Sequence, residues 1–276
     1  MSSLHTPNEI ESILNRLSIY QGAQQTKCAS ELENVAQQSN LHRIVTPSLM
    51  TYILEFVSPS RADCVIKAAC LVLANSCTTD DLTNCKYYLA NGVSERCGSV
   101  LSERGASAAC VFAVLDVVAT LCTGCRDARD AFRPLIAPTL SAVKNHKTNL
   151  EIHFACVCAL ATQTLADPLS SLAVARNNGL QILVEIYKWS AKQREAQSRS
   201  QDDHRLALDT MKWAKQALMN VLRCPASDVD MFCAKIQWGT FGTVVAIDEL
   251  KICAGMERKK ILAAIQQGPS GSTTSS

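Results

Sequence analysis

The run Val65–Cys77, VIKAACLVLANSC, decides how this chain is read. Val65, Ala69, Val72 and Leu73 fall on one face at helical spacing, so the stretch predicts a helix with one buried side. A shift of about 45 residues places Cys110, Val114, Val117 and Val118 on the same positions. A further shift of about 42 places Ile152, Cys156, Ala159 and Leu160 there. A fourth copy lies about 58 residues on, with Ala214, Ala217 and Leu218. The second inward position holds Ala69, Val114, Cys156 and Ala214 in turn, small or medium residues that let neighbouring helices approach closely. Self-similarity at roughly 40 to 47 residues is the signature of stacked helical repeats.

Between the long copies, shorter signals recur. Asn91-Gly92 and Asn178-Gly179 each close a short helical stretch, and Trp238-Gly239 offers a third instance. Glycine there supplies the left-handed backbone that ends a helix. Pro47-Ser48-Leu49 and Pro138-Thr139-Leu140 place a proline in the first turn of a helix, where its missing N–H has no intrahelical partner. A short helix, a glycine or proline turn, a second helix and a long Ala-rich helix together resemble the armadillo repeat. The resemblance covers roughly residues 40–255, and Arg61–Leu101 is its best unit. It implies an all-α fold: a right-handed α-solenoid of about five armadillo-like (ARM/HEAT) helical repeats.

Composition agrees. Apolar residues make up 47% of the 276, enough for a large core, but aromatics only 5%. Leu, Val, Ile, Ala and Cys must therefore fill the interior, which suits close-packed helices better than a sandwich or barrel. The 11 glycines and 8 prolines leave little turn chemistry for many short strands. The balance of 27 basic and 25 acidic residues excludes the clustered basic excess of a nucleic-acid or membrane-surface binder. The most apolar stretch, Ala108–Cys122, is broken by Asp116 and falls short of a membrane span of roughly 20 residues. No apolar leader stands at Met1–Pro7, so 14 cysteines point to a reduced, cytoplasmic setting rather than to a disulfide framework.

The domain reading follows. Residues 1–8 are a flexible start, and 9–267 the repeat domain, with atypical caps at about 9–38 and 240–267. Met256–Ile265 is one short helix, and the tail 268–276 (GPSGSTTSS) is disordered. The surplus before the fourth copy, Lys188–Arg205, is charged and polar, and reads as an extended helix end followed by a solvated loop.

In armadillo proteins the long helices line a groove, and the resemblance projects that groove onto Asn75, Thr120, Thr162 and Asn220, with Asp116 and Gln216 one turn earlier. Amides and hydroxyls in such a row can pair with the backbone of an extended peptide. The Trp–Asn pairing of importin-alpha-like adaptors is missing: Leu71 and Gln216 occupy the aromatic slots, and Trp213 is out of register. Arg126, Arg129 and Arg133 interleave with Asp127 and Asp130, either as a salt-bridged solvent face or as a patch for an acidic partner. Cys122-Thr-Gly-Cys125 has metal or redox spacing but lacks an evident second ligand pair. His153 and Cys156 suggest a dyad on paper, without an orienting third group.

The expected function is a non-catalytic protein–protein scaffold or adaptor that takes a peptide or helix in the groove. A regulator or exchange-type cofactor of a GTPase or chaperone is the alternative, and a cysteine-dependent enzyme a third. No cofactor, metal, nucleic acid, membrane insertion or small-molecule substrate is expected.

Overall fold

A computed structural model describes residues 6–78, 81–103, 107–196 and 200–224. The caps, helix and tail expected beyond residue 224, and the Trp238-Gly239 turn, lie outside them. Among the described residues all regular structure is helical. The chain divides into two units, 1–147 and 148–276.

The first unit opens with α1 (Pro7–Ile19) and α2 (Gly22–Ala36). Two runs of short, medium and long helices follow: α3 (Leu41–Ile44), α4 (Pro47–Phe56) and α5 (Asp63–Asn75), then α6 (Thr83–Ala90), α7 (Val93–Glu103) and α8 (Ala108–Gly124). It ends with α9 (Arg126–Phe132), a 3-10 turn at Arg133–Leu135 and α10 (Ile136–Asn145). Helix α5 packs between α2 and α8, while α4 and α7 lie against α5 and α8 respectively.

The starts of these helices are written in their caps. Thr6 and Glu9 form a reciprocal capping box at α1, so the predicted flexible start yields to helix by Pro7. Thr46 accepts the Leu49 N–H, with Pro47 as the first residue of α4. Ser107 accepts the Cys110 N–H of α8. At the end of α6, Gly92 adopts φ +78°, the left-handed geometry its Asn-Gly sequence predicts.

The inward residues of the first two copies, Val65, Ala69, Val72, Leu73, Cys110, Val114, Val117 and Val118, are fully buried. Each buried aliphatic side chain of this kind contributes about 1.5–3 kcal/mol of transfer free energy. Among the described residues, four side-chain bonds reach back 39 to 44 residues. The carboxamide of Asn75 donates to the Ala36 carbonyl (3.0 Å) and that of Asn84 to the His42 carbonyl (3.1 Å). Arg96 donates to the Leu54 carbonyl (3.0 Å), and the Ser107 hydroxyl to the Asp63 carboxylate (2.6 Å). The separations are 39, 42, 42 and 44 residues.

The second unit contains α11 (Leu150–Gln163), α12 (Pro168–Arg176), α13 (Gly179–Glu195) and α14 (Gln201–Leu222). Helix α14 packs on α11, α12 and α13. The inward sets Ile152, Cys156, Ala159, Leu160 and Ala214, Ala217, Leu218 are again buried. Two local expectations change. At Asn178-Gly179 the left-handed residue is Asn178 itself (φ 60°), because asparagine tolerates that region. In the segment 188–205 the expected extended helix end is present, α13 running to Glu195, but α14 already starts at Gln201 and takes up part of the expected loop. Its Lys, Gln, Glu, Arg and Ala residues are good helix formers, and Ser200 caps α14 by accepting the Asp203 N–H (3.1 Å).

Candidate functional site

The six projected groove positions separate into two groups by what their side chains already hold. Asn75 sits at the exposed last turn of α5, and its amide is engaged by Ala36, the last residue of α2. Asn220 makes the equivalent bond in the second unit. Its Nδ2 donates to the Ala161 carbonyl near the end of α11 (2.8 Å) and to the Thr164 hydroxyl (3.3 Å). Its Oδ1 accepts from Gln216 Nε2 (2.8 Å). The last four carbonyls of a helix have no intrahelical donor, so both asparagines cap the preceding long helix from outside. Thr162 is buried, with its hydroxyl turned back onto the Cys158 and Ala159 carbonyls (3.1 and 3.0 Å).

Asp116 and Thr120 remain, one turn apart on α8 and half-buried. Burial holds the Asp116 carboxyl above its ordinary value, because low-dielectric surroundings penalise the charged form. Thr120 lines a cavity of about 190 Å³ with Cys77, Leu82, Cys85, Leu121 and Gly124. A half-buried carboxylate one turn from a threonine that lines a recess suits a cationic or hydrogen-bond-donating group from a partner.

The arginine cluster is largely spent on the protein's own needs. Arg129 donates to the Cys122 and Thr123 carbonyls (3.0 and 3.3 Å), placing its charge at the C-terminal end of α8, where the helix dipole favours it. Arg133 pairs with Asp130. Arg126 is exposed. The structure therefore draws Arg129 and Arg133 into local capping and pairing and leaves Arg126 facing solvent.

Cys122 and Cys125 are both buried and reduced. The thiol of Cys85 approaches Cys125, a neighbour the sequence does not indicate, and Cys85 also faces the Leu121 carbonyl (4.0 Å). No group of three or more Cys, His, Asp or Glu side chains has metal-holding geometry among the described residues. Burial pushes the Cys77 and Cys97 thiols up to about 12, and those of Cys85 and Cys156 higher. At these positions the nucleophilic thiolate is suppressed. His153 is buried and meets Trp189 edge-on, with ring centroids 4.6 Å apart. It serves the packing of α11 on α13.

Features outside the projection also emerge. Leu169 is 57% exposed, Leu165 41% and Trp213 38%. A cavity of about 340 Å³ is lined by Leu165, Pro168, Ser171, Asn220, Arg223 and Cys224. Asn84 and Arg96 each donate to a carbonyl 42 residues earlier, a separation close to the spacing of the self-similar sequence stretches. Among the described residues no helix is long and apolar enough to cross a membrane.

No family model and no curated protein matches the chain. Among solved structures it is similar to an engineered protein whose crystal structure comes from the Northeast Structural Genomics Consortium. Identity is 17%, the TM-score is 0.66, and the match covers 94% of this chain and 97% of that one. At such identity the likeness concerns fold alone, and what it establishes here is an all-α protein of packed helices.

Proposed function

We propose that the chain is an armadillo-like α-solenoid acting as a non-catalytic scaffold or adaptor, which takes a partner peptide or helix against its long helices. The repeat reading is supported by the side-chain bonds that reach back 39 to 44 residues and by the buried inward sets on α5, α8, α11 and α14. The observation that carries the binding reading is the pair Asp116 and Thr120. They are half-buried polar groups one turn apart on a long helix, and Thr120 borders a recess. A basic side chain of the partner would meet the Asp116 carboxylate there.

The test uses the full chain beside an Asp116→Asn/Thr120→Val double variant, matched for helicity and melting. Partners captured from lysate are identified by mass spectrometry, and the affinity for a synthetic peptide of the captured segment is then measured. A loss of affinity of about tenfold or more in the variant supports the reading; 1–3 kcal/mol is ordinary for a charged hydrogen bond. Equal affinity would move the site away from α8, toward the exposed Trp213 or Leu169. A partner held in only one nucleotide state would redirect the assignment to a GTPase or chaperone regulator.

A further inference from the structure

The chain contains two Asn-Gly pairs, Asn91-Gly92 and Asn178-Gly179. We infer that Asn178-Gly179 is a site of spontaneous deamidation in the folded protein, and that Asn91-Gly92 is protected. In this reaction the Gly179 backbone nitrogen attacks the side-chain Cγ of Asn178 and releases its proton to solvent. A new C–N bond closes a cyclic imide, the carboxamide C–N bond breaks, and ammonia leaves. Water then opens the ring at either carbonyl and gives aspartate or isoaspartate. The balance is one water in and one ammonia out, with no oxidant or reductant.

Glycine as the following residue has no Cβ to obstruct the attack, so conformation decides between the two pairs. Asn178 is exposed and its side chain makes no capping bond. It sits at φ 60°, ψ 24°, a left-handed conformation that asparagine tolerates. Gly179 is the first residue of α13 and is itself buried, so the peptide turns outward before its N–H, which has no helical acceptor to give up, loses its proton. Turning the 178–179 peptide plane breaks one long bond, from the Ile182 N–H to the Asn178 carbonyl (3.3 Å). Asn91 is held more firmly. Its Nδ2 donates to the Tyr87 carbonyl (2.8 Å), which keeps the carboxamide away from Gly92. The Gly92 N–H itself donates to the Leu89 carbonyl (3.3 Å). Attack there costs two bonds.

Conversion to aspartate would add a negative charge at the start of α13, where the helix dipole and the cap preference accept it. Conversion to isoaspartate would insert a methylene into the backbone of the α12–α13 turn.

The full chain is incubated folded in mildly alkaline buffer and sampled by peptide mapping, with an Asn178→Gln variant in parallel. Conversion at Asn178 is expected to run roughly two- to twelvefold faster than at Asn91, the factor for one extra hydrogen bond. It should accelerate with pH, and the acidic isoform should be absent from the Gln variant. Equal or faster conversion at Asn91 would overturn the inference. So would conversion at Asn178 that begins only after denaturant is added.

Discussion

The carboxamides of Asn75 and Asn220 each meet a carbonyl at the end of a neighbouring long helix, and their replacement by alanine separates two environments. Asn75 is exposed, so water can reach the Ala36 carbonyl once the amide is gone, and Asn75→Ala is expected to cost about 0.5–1.5 kcal/mol. Asn220 is half-buried and joined to Ala161, Thr164 and Gln216. Asn220→Ala should cost more, about 1–3 kcal/mol, because the partners lose their bonds where solvent is scarce. Urea titration of the two variants measures both. From sequence, either amide reads equally well as a hook for a partner's backbone or as a cap for a neighbouring helix. The choice depends on a carbonyl 39 or 59 residues away, which no local pattern reveals. Asp116 gives a second residue-level test. Its folded-state value lies above the ordinary 3.8. As pH rises from there, the unfolded chain loses its proton first, and the folded state's penalty grows until its own carboxyl ionises and stays constant above that. Asp116→Asn removes that penalty, so the variant should be the more stable at neutral pH. Its advantage should fade as pH falls to the unfolded value, which denaturation midpoints across the acid range will show.

At the level of the helix, most of the design is local and was legible. The proline at the start of α4 and the glycine at the end of α6 do what their sequence positions indicate. Gly92→Ala forces a side chain into φ +78° and places its Cβ 3.4 Å from Glu95 Oε2. It should destabilise by about 1–2 kcal/mol in thermal melting. Ser200→Ala removes the cap of α14 and should cost about 1 kcal/mol. Amide exchange at Asp203 should rise before exchange deeper in the helix does. The same region shows where the reading failed. A charged, polar stretch such as 188–205 looks like solvated loop when aliphatic periodicity is the guide. The helix end expected there is present, but Gln and Arg lose little on entering a helix, and with the Ser200 cap α14 begins at Gln201, inside the expected loop.

Across the whole chain, the inward sets were the most legible feature, since a period of 3.6 inside a period of about 42 leaves few ways to place them. The pairing of Cys85 with Cys125 was not legible, because it depends on how α6 meets the start of α9. If the repeats stack as proposed, each depends on its neighbours for burial. Deleting residues 105–146 should then lower the melting temperature of what remains and broaden the transition. A deletion that melts like the parent would refute the repeat assignment. The buried thiols carry a further consequence. Cys28, Cys70, Cys110 and Cys156 lie on α2, α5, α8 and α11, shielded while those helices stay packed. Each is a timer for its own helix: a thiol reagent reacts there only as often as that stretch opens. The set of labelling rates would chart opening free energies from one long helix to the next without a single introduced probe. It also ties chemical lifetime to folding, since a variant that opens more often exposes these sulfurs to oxidants in proportion.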